Sequence, residues 1–180
     1  MYGQVNWEIQ LENFDEIILE IENIGLSGNL PKSWLLEMMQ LRQSLALSEC
    51  KAFYTHCLNE RNLPSEIGKS AEAMLLNILR DNSVAQCYQA IWNGAVKAID
   101  FKSRQAKNGA HAANYMIGAC LRYVDNARVQ EWDTKGFNRN SKMPRSILSL
   151  ALYDVLLKIG DCGFNEPYHS DIHKTNGSVS

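Results

Sequence analysis

Lys135, Phe137, Arg139, Lys142 and Arg145 fall within the short stretch DTKGFNRNSKMPR, residues 133–145. Lysine and arginine neutralise phosphates, an exposed phenyl ring stacks on an unpaired base, and Asn138 and Asn140 add amide donors. Arg122 and Arg128 come just before, at positions that extend the same cationic surface. Such a set tracks a nucleic-acid backbone without reading its sequence. The competing reading is a solvated loop whose charges only keep the chain in solution.

A second spacing concerns proton transfer. Arg104 is followed by six residues and then by His111, in RQAKNGAH. An imidazole with a reference pKa of about 6.5 moves protons near neutrality, and a guanidinium stabilises a phosphorane. This stretch resembles the signature of the HEPN ribonuclease family, an Arg and a His separated by four to six residues near the start of a helix. The resemblance implies an α-helical bundle in which two copies of the motif meet, with Arg104 and His111 acting on the scissile phosphate. Gln105 stands where that family favours a small polar residue such as Asn, and a further apolar helix follows the motif, which the family tends to carry on its last helix. The alternative is a histidine bonded to backbone at a helix start.

Metal and cofactor chemistry find less. His169 and His173 have a zinc-like gap, with Cys162 and Asp171 nearby, and Cys50, His56 and Cys57 form another group. A structural zinc site wants four ligands in close pairs, and there is no Cys-x-x-Cys. There is also no glycine-rich phosphate loop, no G-x-S-x-G, no dinucleotide fingerprint and no pair of Glu-x-x-His motifs. No metal or cofactor is therefore expected, and with no catalytic set beyond Arg104 and His111 the leading expectation is a non-enzymatic protein.

The elements that must position these residues are all helical. Trp7, Leu11, Phe14, Ile18 and Ile21 step by three and four, one face of an amphipathic helix whose other positions are largely acidic. Ser33 is placed as N-cap of a second helix reaching about Asn59, with a break near Ser48 as the alternative. A third helix carries Ala71, Met74, Leu75, Ile78 and Leu79. Ser83 and Gln86 fit a capping box for a fourth, which runs through Ile91, Trp92 and Ile99. Asn108-Gly109 breaks the chain before a fifth helix rich in small residues, which invite a close neighbour. Residues 133–145 are too long for a tight turn, Pro144 suits the first turn of a sixth, strongly apolar helix ending at Gly160, and the four tryptophans are expected in the core. The fold expected is thus an all-α, single-domain bundle of about five to six helices over residues 1–164, with a basic loop before the last helix. A polar tail, residues 165–180, is expected to be flexible.

Bulk properties agree with a globular chain: 180 residues, 46% hydrophobic, 21% charged and a formal net charge of −2. That near-neutral sum hides an asymmetry. Residues 1–50 hold eight acids and two bases, net −6, whereas residues 97–145 hold ten bases and four acids, net +6. The pattern points to an anionic partner for the later part, or to contact between one copy's acidic N-terminal helix and another protein or copy. No apolar run reaches the roughly 18 residues of a membrane span, the N-terminus lacks a basic start and apolar core, and the five cysteines are odd in number and scattered. A reduced, cytoplasmic protein without a membrane partner is the reading that follows. Its expected role is a nucleic-acid-binding helical module, a small subunit or adaptor of a larger assembly. The alternatives are the ribonuclease or a protein-binding inhibitor or immunity-type module.

Overall fold

The computed structural model describes residues 33–105, 108–132, 134 and 136–170, together with Glu16, Leu19, Glu20, Asn23, Ile24 and Ser27. The described residues form an all-α bundle without strands. Its elements are α1 (Trp34–Asn59), α2 (Lys69–Leu79), α3 (Val84–Gln105), α4 (Gly109–Val129), α5 (Ile147–Leu150) and α6 (Cys162–Asn165). α5 runs on directly into a π-helical segment, Ala151–Leu156. The isolated described positions between Glu16 and Ser27 are largely helical and exposed, and Trp7, Leu11, Phe14, Ile18 and Ile21 lie outside the described residues.

α1 is unbroken past Ser48, because its apolar positions continue on one side from Ala46 through Cys50, Phe53, Tyr54 and Cys57 to Leu58, all buried. Ser33 occupies its N-cap but in a helical backbone conformation, so its hydroxyl accepts no capping hydrogen bond. The capping box of α3 forms in full: Ser83 N–H donates to Gln86 Oε1 (2.9 Å) and Gln86 N–H to Ser83 Oγ (3.2 Å). Asn108 caps α4, its Oδ1 accepting from His111 N–H at 3.0 Å.

α3 and α4 lie closely together because small residues meet between them. A Cβ at Gly94 would collide with Cys120 Sγ and crowd the backbone of Met116. The main core is built from α1, α2, α3 and α4 around Tyr54, Leu75, Ile91 and Met116, and Phe164 of α6 closes one end. Lys51 of α1 and Glu72 of α2 pair across its rim at 2.9 Å. A second, smaller core joins the first half of α1 to the last helical segment through Met38, Leu45, Leu152, Tyr153, Leu157 and Ile159.

The last segment departs from the regular helix expected. A uniform α-helix would bring Leu148, Leu152, Val155 and Ile159 onto one stripe. Instead Leu157 N–H reaches back five residues to Leu152 O (2.9 Å), and this wider turn puts Leu152, Tyr153 and Leu157 inside together. Ile147, Leu148, Leu150 and Val155 are left exposed. Pro144 lies before the helix and not in its first turn: Ser146 is the N-cap, with Oγ accepting from Ser149 N–H (3.1 Å), and Gly160 follows the segment with φ +52°. Two tryptophans also break from expectation: Trp92 is 41% and Trp132 44% exposed, while Trp34 is half-buried against the second core. Residues 166–170 do not leave the surface. Tyr168 packs against the main core, and Arg42 Nη1 donates to Ser170 O at 3.1 Å, so packing extends beyond the boundary expected at residue 165.

Candidate functional site

The described part of the basic loop is a strap tied down along its length. Gln86, already used in the α3 cap, donates through Nε2 to Thr134 O (2.9 Å) and to its hydroxyl (3.1 Å). Gly136 follows with φ +79°, in contact with Ala85 so close that a Cβ would sit 2.7 Å from backbone and side chain. Phe137 N–H then donates to Ala85 O at 2.9 Å.

Two arginines expected to face a phosphate backbone are turned inward. Arg139, 20% exposed, binds Glu49 of α1 at 2.9 Å and lies over the Phe164 ring at 4.2 Å, with Asp161 at 3.7 Å. Arg145, 15% exposed, grips Asp154 with both terminal nitrogens (2.9 and 3.0 Å) and donates to Ser149 O. Their charge is therefore spent on fixing the strap to α1, α6 and the π-helical segment. Around them Arg42 Nε, Glu49 Oε1, Arg145 Nε and Ser149 Oγ are buried without a hydrogen-bond partner among the described residues, a desolvation cost that the ion pairs of this junction must offset. Burial raises the Tyr153 hydroxyl pKa, opposed by the neighbouring Arg42 guanidinium.

The other loop residues surround a cavity. Phe137, Asn138 and Asn140 face Phe53, His56, Cys57, Glu60 and Arg61 from the end of α1, and Trp92 from α3, about a space of roughly 340 Å³. The Phe137 and Trp92 rings are tilted at 58° with centroids 5.7 Å apart. Phe137 is half-buried, not a free exposed ring, and is thereby aligned as a wall of the pocket. Asn140 Oδ1 accepts from Lys142 N–H (2.9 Å), which leaves its amide NH₂ available to a ligand. Lys142 is not part of the lining; it is exposed, with Nζ 3.8 Å from Oε1 of the lining residue Glu60. Arg61 donates to Cys57 O through one nitrogen. Burial pushes the Cys57 thiol up to about 11, with Arg61 pulling the other way, so the pocket's sulfur stays a neutral apolar wall at physiological pH. Sequence reasoning placed Trp92 in the core and did not connect His56 or Arg61 with the loop; their exposure depends on how α1 ends against α3.

The remaining expected residues do not join this pocket. Arg122 lies on α4 with its guanidinium 5.0 Å from the Tyr115 ring, and Arg128 pairs with Asp125 one turn away (3.3 Å). Lys135 lies outside the described residues. Arg104 lines a separate groove with Lys97, Asp100, Phe101, Gln105 and Tyr115, in which Phe101 and Tyr115 stack at 4.3 Å. His111 is exposed at the start of α4, with Nδ1 2.8 Å from Asn108 Oδ1. That oxygen, which only accepts, also takes the His111 N–H, so in the neutral imidazole the proton sits on Nδ1 and Nε2 presents its lone pair.

Cys50 and Cys57 are buried, and among the described residues no three His, Cys, Asp or Glu side chains converge as a metal site requires; His173 and Asp171 lie outside them. Among the described residues no helix is long and apolar enough to cross a membrane. No protein-family model, curated protein or solved structure matches the chain.

Proposed function

We propose that the chain is a non-enzymatic helical module that binds single-stranded nucleic acid, acting as a small subunit or adaptor, and that an unpaired base stacks on the exposed ring of Trp92 at the mouth of the pocket it lines with Phe137. The observation that carries this reading is the pocket itself. It sets two aromatic rings beside amide groups that have donors to spare, at a volume within the range of about 300–1,000 Å³ typical of small-ligand sites. Base–aromatic stacking supplies affinity that tolerates any base, and the amides of Asn138 and Asn140 suit a base edge. Among the described residues, Arg61 in the lining and Lys142, paired with the lining residue Glu60, are the cations placed to meet phosphates. Contact with two phosphates gives a shallow salt slope of about −1.4 on a log–log plot.

Fluorescence anisotropy with labelled single-stranded RNA and DNA tests the reading. Trp92→Ala should weaken binding by roughly 5- to 150-fold, the range set by about 1–3 kcal/mol of stacking per base. Arg122→Ala and Arg128→Ala should leave it unchanged. Absence of binding at low salt, or equal affinity of Trp92→Ala and wild type, would overturn it.

The free Nε2 of His111 favours a second reading, a HEPN-like ribonuclease using Arg104 and His111. An imidazole whose Nδ1 proton is held by an amide oxygen is oriented as a general base. Labelled RNA incubated with protein and with His111→Ala decides it: cleavage that disappears in the variant supports the enzyme, and intact RNA in both excludes it.

A further inference from the structure

Two helices run out at one cavity, which shares no residue with the pocket of Trp92 and Phe137. Asp81 and Asn82 line it just past the end of α2, and Arg128, Glu131 and Trp132 line it at the end of α4 and just beyond. Tyr123, about one turn earlier in α4, adds a second ring, tilted at 60° to that of Trp132 with centroids 5.7 Å apart. The space measures roughly 330 Å³, within the range of about 300–1,000 Å³ typical of small-ligand sites. We propose that this cavity binds an organic ammonium ion, carried by a free alkylamine or by a lysine side chain.

Hydrogen-bond accounting sets the sign of the ligand. The backbone N–H groups of Asp81, Glu131, Trp132 and Thr134 all donate within the chain. Asn82 donates through Nδ2 to Ile78 O (2.9 Å), and Gln86 donates through Nε2 to Thr134, so what Asn82 still offers is Oδ1, an acceptor. Asp81 and Glu131 bring two carboxylates. Asp81 is shared with Arg80 at 3.3 Å, whereas Glu131 has no ion-pair partner among the described residues. Arg128 is the one base among the described lining residues, and its Nη2 is held by Asp125 at 3.3 Å. The ends of α2 and α4 add the negative poles of two helix dipoles, which favour a cation. The positive pole at the start of α3, where Gln86 lies, is closed by its capping box. Aromatic faces likewise attract cations, tryptophan most strongly. Trp132 is 44% exposed and Glu131 is exposed beside it, so a ligand reaches both from solvent.

Proton–nitrogen correlation NMR on the full-length protein tests this, with the Trp132 indole N–H and the amides of Tyr123 and Val124 as reporters at constant ionic strength. Spermidine and Nα-acetyl-lysine amide are titrated in parallel, with Nα-acetyl-norleucine amide as the uncharged control. Saturable shifts with either amine and none with the control support the site. A response to spermidine alone identifies a free amine as the ligand, and a response to the lysine derivative alone identifies a protein side chain. Trp132→Ala should weaken amine binding roughly 2- to 30-fold. Glu131→Gln, which keeps the side chain's size, should weaken it roughly 2- to 5-fold, and Arg128→Ala, which removes the competing charge, should tighten it about 2-fold. These two charge variants decide the matter if Trp132→Ala disturbs the fold. No saturable shift with either amine, equal shifts with the norleucine control, wild-type affinity in both Trp132→Ala and Glu131→Gln, or weaker binding in Arg128→Ala would each overturn the proposal.

Discussion

Arg139 shows how one residue can be misread from its type alone. In the sequence it is one more cation in a basic loop, whereas in the fold its charge is matched by Glu49 and its plane covers Phe164. Removing it leaves Glu49, itself only 15% exposed, as an uncompensated charge, so Arg139→Ala should cost about 3 kcal/mol of stability. Lys142→Ala, at an exposed pair 3.8 Å long, should cost less than about 0.5 kcal/mol. Urea unfolding of the two variants separates a structural arginine from a surface lysine. Equal midpoints would show that the Arg139–Glu49 contact carries no stability. Phe137, Asn138 and Asn140 stood out in the sequence by side-chain type, and in the fold they line one pocket. The inward turn of Arg139 and Arg145 was not legible, because their acidic partners stand 90 positions earlier in the chain and 9 positions later.

At the scale of elements, local signals served well where the physics is local. The Ser83/Gln86 box, the Asn108 break and the small residues of α4 each act within a few positions or one helix–helix contact, and each appears in the fold. The π-helical segment has no such local signature. Its register is selected by burying Leu152, Tyr153 and Leu157 together, and Gly163, where a Cβ would lie 2.5 Å from the Tyr153 ring, completes that packing. The strap depends on Gly136 in a comparable way. Its positive φ costs an L-residue about 1 kcal/mol or more, and a methyl would also collide with Ala85. Gly136→Ala should therefore lift the strap without unfolding the bundle. Limited proteolysis should cut within residues 133–146 in the variant far sooner than in the wild type, and nucleic-acid affinity should fall with it because Phe137 loses its place. Unchanged cleavage would mean that Gln86 and Arg139 hold the strap unaided.

The bundle as a whole buries weak acids of an unusual kind, thiols and phenols in place of carboxylates. Burial raises the pKa of Cys50, Cys57 and Cys120 and of Tyr54 and Tyr88, that of Cys57 to about 11. In the unfolded chain these thiols deprotonate around 8.5 and the phenols around 10. Above that pH the unfolded state holds fewer protons than the folded one, so ν_U − ν_N is negative and stability falls as pH rises. The stabilisation is complete below about pH 8 and is lost progressively between about pH 9 and 11, at roughly 1.4 kcal/mol per pH unit for each buried thiol in that window. Cys57 and Cys120 together remove about 3 kcal/mol per unit and Cys50 acts in the same direction, a large part of the roughly 5–15 kcal/mol that holds a domain folded. Denaturant midpoints measured from pH 7.5 to 10.5 should stay level to about pH 8.5 and then drop steeply. Cys57→Ala lowers the plateau by creating a cavity, yet it should make the alkaline descent shallower over pH 9–11, because one of the groups that drives the descent is gone. A midpoint that holds level to pH 10.5, or a descent of the same steepness in Cys57→Ala, would show that the packed interior accommodates ionised thiols.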